Sequence, residues 1–282
     1  MPRLGLSLGL SAWRPASAAS PPAAALPEDG LQVRYEFQGD NAAQVFTDAG
    51  TTPVVSDGDA IYRVADIGGS SVHLNQATAG SRPVWRTSTG PNSDVNGVEC
   101  SATQFMRATA GFVSPITTTY YFVGQVTNAD DSVIFSRGFT SSPSSVQEYL
   151  YWNGSTGTAS DSLKIYRGGT KTLTATLTTW PVGTWGVIAV VIDGTPASGS
   201  RILRIYRDGV LVREETNGTW TVSSSFNATL NLNTLSGTGG QTFGGAIKML
   251  AFAAYDVAHD AETVAAAQSY YAQTLGVPEP PE

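Results

Sequence analysis

The sequence has few of the residues on which metal and redox sites commonly depend. It contains one cysteine and two histidines in 282 residues, which excludes an intramolecular disulfide and a zinc site built from these residue types. Charged residues make up only 14% of the chain, against roughly 25% in ordinary soluble domains. The net charge is −7 and the 16 lysines and arginines are scattered, so nucleic acid is disfavoured as the main partner. No stretch approaches the roughly 20 apolar residues of a membrane-spanning helix.

What the chain does have is glycine and short extended runs. It is 41% hydrophobic and holds 30 glycines, a profile typical of β-rich proteins. Trp185–Ile192 is continuously apolar, which predicts a strand buried on both faces. In Leu31–Phe37, alternation predicts that Leu31, Val33, Tyr35 and Phe37 share one face. Further strands are predicted at Thr119–Val126, Ser132–Ser136, Glu148–Trp152, Ser162–Tyr166, Lys171–Thr176 and Ala246–Tyr255.

Two local signals are sharper than the rest. Asp208-Gly209 separates two apolar runs and predicts a tight hairpin turn. From His259 the chain has a polar cap position, acidic residues in the next turn and then an Ala-rich run that ends at Gly276. These are start and stop signals of an α-helix. Many short strands with one C-terminal helix predict an all-β sandwich with the helix laid against it.

The N-terminal segment, residues 1–27, differs in composition from the rest of the chain. Leu4, Leu6, Leu8 and Leu10 alternate with Gly or Ser, and Trp13 follows. We expect an uncleaved arm that anchors the chain to other subunits by strand addition; the alternative is a signal peptide cleaved near residue 18. The main domain is expected at residues 28–277, followed by a Pro-rich tail at 278–282.

Three stretches, taken in order, resemble a known family. They are Val45–Pro53 with Asp59–Asp66, continuing through Gly68, Gly69, His73 and Gln76 to Arg82 and Pro83; then Gly97–Cys100; and then Gly245–Tyr255 with Ala261 and Glu262. The pattern resembles the LamG-like, concanavalin A-like jelly-roll domains of bacterial surface proteins and phage particles. Val64 replaces the usual Trp, Cys100 the usual Phe, and Ser101-Ala102 the usual Asp-Gly. The resemblance implies a concanavalin A-like jelly-roll β-sandwich in which Cys100 is a small buried hydrophobe and His73 packs in a loop.

The resemblance also implies a function in binding. With the retained arm, it suggests a non-enzymatic phage virion protein, a capsid decoration or tail adhesin, whose lectin-like domain adheres to cell-surface glycans. The partners would then be other virion subunits and the location the virion. The main alternative is a secreted, extracellular bacterial carbohydrate-binding module. A third hypothesis is a glycoside hydrolase. It is disfavoured because the sequence has no Glu-x-Asp-x-Glu triplet, which would place two carboxylates on one face of a strand.

No cofactor is expected, because the loop carboxylates are interpreted first as solvated turn residues; a structural calcium ion is the alternative. The resemblance to the LamG-like, concanavalin A-like domains implies that one calcium ion could lie in the rim loops, where such domains often hold one. Asp57, Asp59 and Asp66 are the weak candidates, and Asp130 and Asp131 are further loop carboxylates.

Aromatic residues give the candidate glycan site. Sugar rings stack on Trp and Tyr while amide side chains bond to their hydroxyls. In Tyr149–Asn153, alternation predicts Tyr149 and Tyr151 on one strand face with Asn153 at the strand end. Trp152 and Trp220, the latter in a predicted loop, complete the candidate set.

Overall fold

The computed structural model describes residues 25–38, 43–114, 117–128, 132–137, 148–153, 162–167, 171–176, 182–218, 226–234 and 245–279. The arm residues Leu4, Leu6, Leu8, Leu10 and Trp13 lie outside the described residues, as do Asp130, Asp131 and Trp220.

Antiparallel strands account for about half of the described residues. They are β1 (Leu31–Glu36), β2 (Val45–Phe46), β3 (Arg63–Val64), β4 (Leu74–Asn75), β5 (Val84–Arg86), β6 (Gly97–Cys100), β7 (Met106–Ser114), β8 (Thr117–Val126), β9 (Ser132–Arg137), β10 (Glu148–Asn153), β11 (Ser162–Arg167), β12 (Lys171–Thr176), β13 (Gly186–Asp193), β14 (Arg201–Arg207), β15 (Val210–Gly218), β16 (Phe226–Leu232) and β17 (Ile247–Tyr255). A 3₁₀ turn spans Ala79–Ser81, and the helix α1 spans Ala261–Leu275.

The strands form two sheets. Sheet A has the order β15-β14-β13-β8-β17-β6-β5, and β1 also pairs with β17. Because β8 pairs along the whole of β17, β6 and β1 share the other edge of that strand, one at each end. Sheet B has the order β12-β11-β10-β9-β16-β7-β4-β3-β2. The two sheets pack face to face, which confirms the predicted jelly-roll-like β-sandwich.

The core lies between the sheets and takes alternate residues from each strand. In β13, Ile188, Val190 and Ile192 point into it, whereas Val187 and Val191 point to the other side of sheet A. All five are at most 2% exposed, so the predicted two-sided burial of this strand is confirmed. Cys100 lies in the same core at 2% exposure.

Helix α1 covers the outer face of sheet A. Val264, Ala267, Tyr271 and Leu275 pack there against apolar residues of the sheet. The Asp260 carboxylate accepts a hydrogen bond from the Thr263 N–H at 2.8 Å and so caps the N-terminus. Gly276 ends the helix in the left-handed region at φ 67°. The predicted helix is thereby confirmed, and no helix of the described residues is both long and apolar enough to cross a bilayer.

The predicted Asp208-Gly209 turn is confirmed, whereas the predicted face of strand β1 is wrong in part. Asp208 and Gly209 both have positive φ, 47° and 78°, as a two-residue type I′ hairpin requires. The prediction that Leu31 shares a face with Val33 is wrong. A register shift at Gln32 turns Leu31 toward the helix side of sheet A, whereas Val33 faces the core.

Candidate functional site

Strand β10 places two tyrosines on the outer face of sheet B. Leu150 and Trp152 point into the core, and Tyr149 and Tyr151 alternate with them, packing on Val133 of the neighbouring strand. A bulge at Ile134 makes this possible, because it puts Leu150 opposite Phe135 but Tyr151 opposite Val133. Both tyrosines are half-buried, so the predicted shared face of Tyr149 and Tyr151 is confirmed.

The two tyrosine rings do not form a flat platform. Their centroids lie 6.5 Å apart and their planes meet at 78°. An edge-to-face pair stabilises both rings, but a single sugar lies flat on only one of them. The pair therefore offers one stacking surface with a second ring as its side wall.

Trp152 belongs to the core and not to this face. Its side chain is fully buried between the sheets with Leu150 and Ile165. The expectation that Trp152 contacts a ligand is therefore wrong, because its side chain packs in the core on the opposite side of β10 from the tyrosines. Asn153 ends β10 as predicted.

A row of polar residues crosses sheet B from the tyrosines. Residues directly opposite each other in antiparallel strands share a face. The register links Tyr149 to Ser136, Ser136 to Asn231, Asn231 to Arg107, Arg107 to Asn75, and Asn75 to Arg63. Three strand spacings separate Tyr149 from Arg107, about 14 Å. We call this set the polar row.

Hydrogen bonds hold the middle of the polar row. Arg107 Nε donates to Asn231 Oδ1 at 3.0 Å, Asn231 Nδ2 donates to Ser136 Oγ at 3.3 Å, and Ser136 Oγ donates to the Thr234 carbonyl at 2.7 Å. Ser136 and Asn231 are buried, whereas Tyr149 and Arg107 are partly exposed. The row therefore reaches solvent at two ends, an aromatic end at Tyr149 and a guanidinium end formed by Arg107, Asn75 and Arg63.

A cavity of about 350 Å³ lies at the guanidinium end. It is lined by residues 75–78 and by Phe105, Arg107 and Ala108. The Gln76 amide fixes its wall, since Nε2 donates to the Phe105 carbonyl at 3.1 Å and Oε1 accepts from the Thr78 N–H at 3.0 Å. Ligand pockets start at roughly this volume and are usually preformed. The sequence offered no local signal for this cavity, because its walls are assembled from strands far apart in the chain.

Two buried polar atoms at this end of the row make no hydrogen bond in the described structure. They are Asn75 Oδ1, on a residue that lines the cavity, and Arg63 Nε, on a residue outside the cavity whose Nη1 donates to the Ala49 carbonyl at 2.7 Å. Burial also lowers the pKa of Arg107, because the charged guanidinium is partly removed from water.

The three candidate calcium ligands accept hydrogen bonds that stabilise the loops in which they lie. Asp59 accepts hydrogen bonds from the N–H groups of residues 55 and 56, and these bonds lower its pKa. Asp66 accepts from the backbone of residues 34, 68 and 70. Asp57 accepts from Arg86 and from the N–H of residue 87. Within the described ranges no three His, Cys, Asp or Glu side chains gather as metal ligands; a structural calcium ion stays a prediction.

Two further residues that stood out in the sequence have packing roles. His73 Nδ1 accepts a hydrogen bond from the Asp66 N–H at 3.1 Å, so it fastens a loop as expected. Burial raises the pKa of the Cys100 thiol well above its usual range, which keeps the thiol protonated and unreactive.

A buried charged cluster joins the two sheets. Arg137 and Glu148 of sheet B are fully buried and face Tyr120 of sheet A. Arg137 Nη1 donates to the Tyr120 hydroxyl at 2.6 Å, and that hydroxyl donates to Glu148 Oε2. Burial raises the pKa of Tyr120, which keeps the hydroxyl protonated as this donor. This cluster was not predicted from the sequence; the signal that could have placed Glu148 inward is its alternation with Leu150 and Trp152 along β10.

Comparison with known proteins gives structural matches alone. No protein-family model and no curated protein sequence matches the chain. Domain 4 of AbnA, a GH43 extracellular arabinanase from Geobacillus stearothermophilus solved in complex with arabinotriose, is similar at 16% identity and a TM-score of 0.51, covering 86% of this chain and 100% of that one.

Receptor-binding domains of botulinum neurotoxins are also similar. The C/D mosaic serotype matches at 9% identity and a TM-score of 0.53, and type G at 11% and 0.50. The matches cover 84% and 87% of this chain but 50% and 52% of the toxin domains, so the chain spans about half their length. At these identities the matches show the β-sandwich fold.

Proposed function

We propose that the chain is a non-catalytic β-sandwich that binds saccharides on the outer face of sheet B. The observation that carries this proposal is the partly exposed pair of Tyr149 and Tyr151, supported by Val133 and set at the end of the polar row. The outer face of sheet A, by contrast, is covered by α1. On the outer face of sheet B the rings of Tyr149 and Tyr151 are partly exposed.

The expected affinity for one sugar is low. An aromatic contact is worth on the order of 1 kcal/mol beyond the area that it buries. A single half-buried ring with a second ring beside it therefore supports binding in about the millimolar range. Useful adhesion then depends on several copies acting together.

The structural matches support a binding role. The arabinanase domain carries arabinotriose in its structure, and the toxin segments are described as receptor-binding domains. The polar row itself contains no carboxylate, whereas glycoside hydrolysis uses two carboxylates across the scissile bond. This composition favours binding over hydrolysis.

The setting of the domain is a separate proposal that rests on the sequence. We keep the virion adhesin as the first candidate and the secreted carbohydrate-binding module as the second. Deleting residues 1–27 is expected to leave a folded protein that no longer enters its particle. Normal incorporation of the truncated chain would contradict the anchoring arm, and a native mass that lacks residues 1–18 would favour the secreted module.

A glycan array probed with monomeric and with multivalent protein tests saccharide binding. Multivalent wild-type protein is expected to bind. The monomeric Tyr151→Ala variant is expected to bind several-fold more weakly than the monomeric wild type. Tyr270→Ala is the matched control, since Tyr270 lies on α1 at the opposite side of the sandwich. Thermal melting of both variants separates loss of the site from loss of the fold. Absence of binding by multivalent protein, or full binding by Tyr151→Ala, would overturn the proposal.

A further inference from the structure

Three edges of the two sheets are covered by the chain itself. Residues 58–61 hydrogen-bond with β5, residues 66 and 67 with β1, and residues 52–54 with β2. The Ile67 N–H, for example, donates to the Arg34 carbonyl at 2.9 Å. A bare edge strand is a template for pairing with another chain, which is why folded proteins commonly cover their edges in this way.

Strand β15 is an edge without such a cover. It ends sheet A, and its backbone pairing within the described residues is with β14 alone. Strand β12 of sheet B approaches β15 without pairing with it. Val210 and Leu211, at the start of β15, are 42% and 45% exposed. The strand therefore presents apolar side chains together with the outward N–H and C=O groups of an edge.

The apolar residues of β15 are divided between the two faces of sheet A. Val212 packs against the core, and Val210, opposite Arg207, lies on the same inner face. Leu211, opposite Tyr206, lies on the outer face instead. Val210 and Val212 thus form a short apolar row at the rim of the core, with a spacing of two residues.

The N-terminal arm has the complementary pattern. Leucine recurs there at every second position, at Leu4, Leu6, Leu8 and Leu10, with Gly or Ser in between. We propose that residues 4–10 of a second copy add to β15 as a further strand of sheet A, with their leucines beside Val210 and Val212 and their small residues on the side of Leu211. The inference rests on the anchoring arm proposed above and names the edge that accepts it; it does not depend on saccharide binding.

The arm fits this edge better than a second β15 does. Glu214 is the middle residue of β15, so full-length pairing of two β15 strands about a two-fold axis sets Glu214 opposite itself. Like charges directly opposite in a sheet are destabilising, whereas residues 4–10 carry no charged side chain. Residues 11–24, which join the leucines to the described chain, span up to about 46 Å when extended, enough to reach a neighbouring copy.

The proposed contact repeats from copy to copy. Each copy donates one arm and accepts another on a different surface, so the contact is heterologous and builds a ring or a filament. Such an assembly supplies the several copies on which weak saccharide binding depends.

Amide hydrogen exchange of the full-length protein tests the pairing. The protein is compared at concentrations between about 1 µM and about 1 mM, a range that covers weak and moderate complexes. Peptides from residues 4–10 and from β15 should both exchange several-fold more slowly at the upper concentration, because exchange then waits for the pair to open. Sedimentation at the same concentrations should show oligomers appearing together with this protection.

Two adjacent positions of β15 give a matched pair of variants. Val210→Lys and Leu211→Lys add the same charge at similar exposure, but on opposite faces. Val210→Lys should abolish the protection of both segments, whereas Leu211→Lys should keep most of it. In the arm, Leu6→Ser with Leu8→Ser should abolish the protection of β15. Melting curves show whether each variant is folded.

Several results would overturn the inference. Protection of β15 that is the same at every concentration would show that the edge is not filled by a second copy, and equal loss in the two lysine variants would contradict the assigned face. Oligomers that require the arm but leave β15 unprotected would overturn this acceptor and leave the anchoring arm standing. Absence of self-association up to about 1 mM would overturn the pairing of copies through the arm altogether.

Discussion

Glu148→Gln removes the carboxylate from the buried cluster between the sheets. Arg137 is fully buried, and the variant leaves its charge without the carboxylate that lies 3.7 Å from Nη1 and is bridged to it by Tyr120. Removing one partner of a buried ion pair costs about 3–5 kcal/mol, because the remaining charge stays out of water. Folded domains are stable by only about 5–15 kcal/mol, so this loss would be a large part of the total.

Urea unfolding monitored by tryptophan fluorescence measures this cost. Glu214→Gln is the matched control, since its pair with Arg204 is 26–32% exposed and such pairs are worth about 0–1 kcal/mol. Replacing the whole cluster, with Arg137→Met, Glu148→Leu and Tyr120→Phe together, should recover most of the loss. A cost below about 1 kcal/mol for Glu148→Gln would refute the assignment of the cluster as a desolvated ion pair.

Three further predictions concern the packing of the sandwich. Cys100 should resist iodoacetamide in the folded protein and react fully in denaturant, as read by intact mass; rapid alkylation of the native chain would contradict its burial. Burial lowers the pKa of His259 to about 4. The contribution of His259 to the free energy of unfolding should therefore be full above pH 6.5 and should fall by up to about 1.4 kcal/mol per pH unit between pH 6.5 and 4, because the unfolded state takes up the proton. His259→Gln should flatten this slope, and an unchanged slope in the variant would contradict the assigned role of His259. Gly209→Ala should cost about 1–2 kcal/mol, because Gly209 has φ 78°, whereas Gly80→Ala, with open space around its Cβ position, should be neutral.

Local chemistry explains which features could be predicted from the sequence. The Asp208-Gly209 turn and the helix ending at Gly276 depend on residues within a few positions of each other. The shared face of Tyr149 and Tyr151 follows from the period of a strand. These features need no knowledge of which strands pair.

The rest depends on pairing between distant segments. Arg107 and Asn231 meet although 124 positions separate them, and the cavity exists only because β4 and β7 are neighbours. The register shift that turns Leu31 away from the core depends on β17. A sequence pattern carries the period of a strand but neither its partner nor its bulges.

The central claim is that the outer face of sheet B binds saccharide, and a crystal structure of the complex with the tightest-binding oligosaccharide tests it most directly. A sugar ring is expected against Tyr149 or Tyr151 on β10, on the same side of the sandwich as the amide and guanidinium groups of the polar row. A saccharide bound instead against α1, or at loops remote from β10 and β7, would contradict it.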